Sequence, residues 1–143
     1  MTKGGLIRKV DKKGKLKPDK KNFKVRDREF VVHAQMPDGT VEDFIWDSGA
    51  TESSFNHVVA KKLGLLDADG NPTSKYLHKT VNVGMADKSV HKGILFRKVP
   101  LRIREANGMV ARGDAIVRKR ASLLYGVTHM RAVRGHMKVK FVG

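Results

Sequence analysis

The chain has no cysteine, so disulfides, thiolate metal sites and a cysteine nucleophile are excluded. It has one tryptophan, Trp46. That residue falls in an apolar strand pattern, so it is expected to pack in the core rather than stack on a base. No run approaches the roughly 20 apolar residues a membrane-spanning helix needs. The lysines near the N-terminus are not followed by an apolar segment, so no secretory signal is read there. The six histidines show no His-Glu-x-x-His and no short paired-ligand spacing, so no metal site is expected from them. Gly-x-Ser-x-Gly is missing too, which speaks against a serine-hydrolase elbow. Gly84, Gly93 and Gly126 form no phosphate-binding pattern. An intracellular protein, or one packaged in a virus or phage particle, is the expectation, with no membrane partner.

Carboxylates are the scarce charge. Fourteen Asp and Glu stand against 30 Lys and Arg, a net charge of +16 over 143 residues. Residues 1–28 hold 12 basic and 3 acidic residues, which is +9, and residues 29–143 carry the other +7. Residues 1–28 have too little apolar patterning to offset their ordering entropy, and read as a basic flexible tail. Lys12, Lys13, Lys15, Lys17, Lys20 and Lys21 are its candidate contacts to nucleic acid or an acidic protein. Arg118-Lys119-Arg120 is a second basic run that could meet phosphates or simply form a solvated turn.

The remaining 115 residues suit one domain. Residues 30–36 form an apolar strand pattern, Pro37-Asp38-Gly39-Thr40 a turn, and residues 41–46 the return strand. Residues 55–63 predict a short helix with Val58, Val59, Leu63 and Leu66 as its apolar face. Ser53 or Ser54 would cap it, and Gly64 would stop it. Strands are predicted over 80–85, 89–96, 99–104 and 109–117, with hairpin turns at Asp87-Lys88 and Asn107-Gly108. Leu123-Leu124-Tyr125-Gly126 reads as a buried strand end, 127–133 as a short helix, and 137–142 as a terminal strand.

The segment Phe44-Ile45-Trp46-Asp47-Ser48-Gly49-Ala50-Thr51 delivers one carboxylate from an apolar strand to a polar loop. Asp47-Ser48-Gly49-Ala50 resembles the Asp-Thr/Ser-Gly-Ala loop of aspartic proteases, and its surroundings resemble the single-domain, retropepsin-like branch. A hairpin precedes the loop and Ala60-Lys61-Lys62-Leu63-Gly64-Leu65 ends the following helix. A hairpin at 83–93 stands where the family has its flap. Leu124-Tyr125-Gly126 matches the apolar-apolar-Gly element beside the active-site loop. After that glycine the family often has Asp or Asn, where this chain has Val127-Thr128-His129-Met130.

The resemblance implies an all-β, closed, barrel-like acid-protease fold with one or two short helices over residues 29–143. It implies peptide hydrolysis by two carboxylates sharing one proton around a water, with no metal or organic cofactor needed. Asp-Ser-Gly occurs once in the sequence, so a homodimer must supply the second Asp47. Part of its interface is expected in the terminal strand, residues 138–142. Catalytic roles fall to Asp47, with Ser48 bracing the loops across the dimer and Gly49 admitting close backbone approach. Substrate contacts fall to Ala50, the flap tip Met85, Ala86 and Asp87, and Tyr125. The basic tail suits cleavage inside a nucleic-acid-rich assembly such as a maturing particle. The competing expectation is a non-catalytic structural or adaptor module that keeps the fold as a scaffold and binds nucleic acid through its tail.

Overall fold

The structure, a computed structural model, describes residues 6–10, 29–85, 87–133 and 138–139. The described residues are mostly β-sheet with two short helices. Strand β1 is Leu6–Val10. The first hairpin joins β2, Glu29–Gln35, to β3, Val41–Trp46, in the register Val31↔Ile45 to Gln35↔Val41. Its turn closes because the Met36 N–H donates to the Thr40 carbonyl at 2.8 Å and Asp38 Oδ1 accepts the Thr40 N–H. Strand β4, Ser53–Phe55, leads into helix α1, His57–Lys62. Then come β5, His78–Gly84, and the long β6, Val90–Ile103. A 3-10 turn at Arg104–Ala106 precedes β7, Met109–Val117. Strand β8, Leu124–Tyr125, helix α2, Val127–Ala132, and β9, Lys138–Val139, complete the order.

The sheet closes on itself. Its strand order is β5-β6-β7-β4-β8-β3-β2-β1-β9, and β6 also pairs with β2 through Ala34↔Ile103 and Gln35↔Arg102. Strands β6, β7, β4, β8, β3 and β2 therefore form a ring, which removes open edges from all six along the paired stretches. Alternating side chains fill the core: Val32, Ala34, Phe44, Phe55, Phe96 and Ile103 are each fully buried. Phe44 and Phe55 meet edge to face with ring centroids 5.6 Å apart. Among the described residues, no helix is long and apolar enough to cross a membrane.

Four expectations change. Leu6–Val10 lies in the segment read as a flexible tail, yet it pairs antiparallel with β2 and parallel with β9. The free side of β2 supplies backbone partners that the segment's own composition does not advertise. Strands expected over 89–96 and 99–104 are one strand, bent where the register with β7 shifts between Phe96 and Val99. Lys98 takes φ +54° there, and its N–H donates to Asp114 Oδ1 at 3.1 Å. Helix α1 begins later than expected. Asn56 is its cap, with Oδ1 accepting the Val59 N–H at 2.9 Å, while Ser53 and Ser54 belong to β4. Val58, assigned to the apolar face, is exposed; Val59 and Leu63 are buried. Gly64 does follow the helix, at φ +78°. Of the terminal strand, residues 138–139 pair with β1, and residues 140–142 lie outside the described residues.

Candidate functional site: the Asp47 loop

Strand β3 brings the chain out of the core at Trp46, whose indole stacks on Tyr125 with centroids 5.4 Å apart. Next to it runs β8, parallel, in the register Ile45↔Leu124 and Trp46↔Tyr125. The ladder continues into the loop, where the Asp47 N–H donates to the Tyr125 carbonyl at 3.1 Å. The Leu124-Tyr125 element therefore lies beside the Asp-Ser-Gly loop, as the sequence led us to expect.

The loop then turns on itself. The Ala50 N–H donates to the Asp47 carbonyl at 3.1 Å, and Asp47 Oδ1 accepts the Gly49 N–H at 2.9 Å. Asp47 is half-buried, Ser48 and Gly49 are exposed, and Ala50 is half-buried. Two further bonds tie the far side of the loop to the start of α2. The Ala50 carbonyl accepts the Val127 N–H at 2.9 Å, and the Thr51 carbonyl accepts the Thr128 N–H at 3.0 Å. The backbone of the carboxylate loop is thus held on both sides by one segment, Tyr125 to Thr128.

That segment is anchored in turn by a buried polar chain. Ser53 Oγ accepts the Gly126 N–H at 2.9 Å and lies 2.7 Å from His129 Nδ1. His129 Nε2 donates to the Val99 carbonyl at 2.8 Å. With the proton on Nε2, Nδ1 is the acceptor and the Ser53 hydroxyl its donor, which makes the histidine neutral. Burial also holds His129 down, to about 4. Space for the imidazole comes from Gly113 of β7, where a Cβ would lie 2.6 Å from His129 Nδ1. Neither Ser53 nor His129 reaches solvent. The pair is a brace and not a nucleophile with its base. Nothing in the sequence marked it, because Ser53 read as a helix cap and His129 as one of six scattered histidines.

Other expected site residues are placed as follows. Met85 and Asp87 lie in the turn of the β5–β6 hairpin, where the Met85 N–H donates to the Ser89 carbonyl at 2.9 Å. Ala86 lies outside the described residues, as do Lys12, Lys13, Lys15, Lys17, Lys20 and Lys21. Tyr125 is a correction. Its side chain is fully buried, raised well above the usual phenol range by burial, and its hydroxyl donates to the His129 carbonyl. It supports the loop from beneath and offers no surface to a substrate. Among the described residues, no group of three His, Asp or Glu side chains could hold a metal ion.

The cavities described lie away from Asp47. One of them, of about 500 Å³, is lined by Gln35, Met36, Tyr76, Arg102 and Arg112 among others. The chain matches no protein-family model and no curated protein.

Proposed function

We propose that this protein is an aspartic endopeptidase of the retropepsin-like kind, active as a homodimer with one Asp47 from each chain. The observation that carries the reading is the Asp47 loop itself. Strand β3, anchored in the core by the fully buried Phe44, delivers a half-buried carboxylate onto a loop whose backbone is tied to Tyr125, Val127 and Thr128. Catalysis by carboxylates demands such a placement, because a small displacement of the reacting groups is expensive.

Two Asp47 side chains brought together would share one proton, since both cannot ionise cheaply at close range. The ionised carboxylate takes a proton from water as its oxygen attacks the scissile carbonyl carbon. The protonated one donates to the carbonyl oxygen. Collapse of the tetrahedral intermediate breaks the C–N bond, and the amine leaves with a proton from the dyad. The β5–β6 hairpin would close over an extended peptide, with Met85, Ala86 and Asp87 at its tip. Among the described residues strand β5 is outermost in the sheet, and its outer edge would offer strand-like pairing to an extended peptide.

The test is incubation of the purified chain with a diverse peptide library from acidic to neutral pH, beside Asp47→Asn, with mass measured in parallel. Cleavage by a dimer, lost by at least a thousandfold in Asp47→Asn, is expected. Cleavage untouched by the substitution would overturn the proposal. So would a stable dimer that cleaves nothing across the range, which would leave the scaffold reading in its place.

A further inference from the structure

A second feature stands apart from the Asp47 loop and does not depend on the protease reading. His91, Lys92, Arg118, Lys119 and Arg120 line one groove of about 350 Å³. Its origin is topological. The last rung between β6 and β7 is Ile94↔Val117. Beyond it β6 continues outward into its hairpin with β5, where His91 opposes Val83. Strand β7 instead turns away. The Arg118 N–H donates to the Phe55 carbonyl at 3.1 Å, and the Arg118 carbonyl accepts the Ala121 N–H at 3.4 Å. The two chains part, and the gap between them is the groove. Gly93 allows the close approach at its root. A Cβ there would lie 2.9 Å from Ile116 Cγ2 and 3.1 Å from Arg118 Cγ.

The groove has no carboxylate in its lining. Elsewhere cations are matched, as in Lys62 with Glu42 and Arg97 with Asp114. Lys92, Arg118, Lys119 and Arg120 enter no ion pair among the described residues. Asp87 acts on His91 from the hairpin turn, but its carboxylate is engaged first by Ser89. The positive field reaches α1 as well: His57 is held below its usual value first by partial burial, then by Lys61 and Lys119. Gathering these charges without counter-ions raises their mutual repulsion, which a bound polyanion would relieve.

We infer that this groove binds the phosphate backbone of a nucleic acid, without reading its sequence. Two guanidinium groups among the five match phosphate oxygens in pairs. A protein partner would want apolar anchors at the centre of its interface, and the lining has none. Protein–nucleic acid interfaces are by contrast strongly positive. No Phe, Tyr or Trp lines the groove, so it has no large stacking platform and its cations favour contact to the backbone.

The experiment measures fluorescence anisotropy of a labelled single strand of about 20 thymidines with the full chain, across a salt series. Two triple variants remove the same charge: R118Q/K119Q/R120Q in the groove, and K75Q/R104Q/R112Q outside it. At about 0.1 M salt the groove triple should bind at least tenfold more weakly, and the control less than threefold. The slope of log K against log salt should also become shallower by about two in the groove triple, since each single-strand phosphate contact contributes about 0.7. Thermal melts check folding, and the pair K119Q/R120Q, both exposed, serves if the triple is unfolded, with a loss of about fivefold expected. Equal losses in the two triples would overturn the groove and leave the 12 basic residues of 1–28, present in every variant, as the binding element. A poly-glutamate that binds as tightly, with the same dependence on the groove triple, would overturn the nucleic-acid assignment.

Discussion

Gly126 lies against the peptide between Glu52 and Ser53. A Cβ there would sit 2.4 Å from the Glu52 carbonyl carbon and oxygen. Backbone cannot swing aside as a flexible side chain can. Gly126→Ala should therefore cost about 3 kcal/mol or more, measured by urea unfolding. It should also weaken the two bonds that Val127 and Thr128 donate to the loop, so activity should fall faster than stability. His129 gives a pH signature. Its folded value, about 4, lies below its ordinary 6.5, so the unfolded chain binds the extra proton first. Stability from this group is intact above pH 6.5 and drains away as pH falls toward 4, by about 3 kcal/mol in all. The slope of unfolding free energy against pH in this window should flatten in His129→Gln, whatever that variant's absolute stability. Asp47 was legible in the sequence because its pattern is local, an apolar strand followed at once by Asp-Ser-Gly. Ser53 and His129 were not, because their partnership spans 76 residues and exists only once β4, β7 and α2 have met.

Helix α1 has six residues, too short to persist on local bonding alone, so its cap matters. Asn56→Ala should lower stability by about 1 kcal/mol in the same unfolding assay. The misplaced helix start has a physical cause. Ser53-Ser54-Phe55 fits a helix entrance by residue type, but all three are buried in a strand laid parallel to β7. Tertiary pairing overrode local preference. The same holds at β6, where the strands expected over 89–96 and 99–104 left Arg97-Lys98 between them unassigned. It is a bulge, since the ladder to β7 resumes at Val99↔Gly113. Hairpin turns were the most legible elements, at Asp38-Gly39 and Asp87-Lys88, because their chemistry is set by a few neighbouring residues.

At the scale of the whole molecule, charge and assembly oppose each other. Two chains of +16 would make a dimer of +32. Screening shortens the reach of that repulsion from about 10 Å at 0.1 M salt toward 3 Å at 1 M. The dimer fraction seen by sedimentation should therefore rise with salt, opposite in sign to the nucleic-acid binding proposed for the groove. A closed sheet is expected from the family resemblance alone, since no local pattern tells that β2 will meet β6 at Ala34↔Ile103. The all-β class was legible without that resemblance, because alternating and β-branched runs recur between turn signals along the chain.

The parallel pairing of β3 with β8 sets an order in time. Asp47 occurs early in the chain, while the groups that hold its loop, Tyr125 to Thr128, come about 80 residues later. Contacts of such separation form slowly and late, after the loop-closure entropy between them has been overcome. The β2–β3 pairing that carries Asp47 is local in sequence, whereas the support of its loop is not. Support for the Asp47 loop arrives only with Tyr125 and α2, so the loop is the part of β3's surroundings that waits longest for its partners.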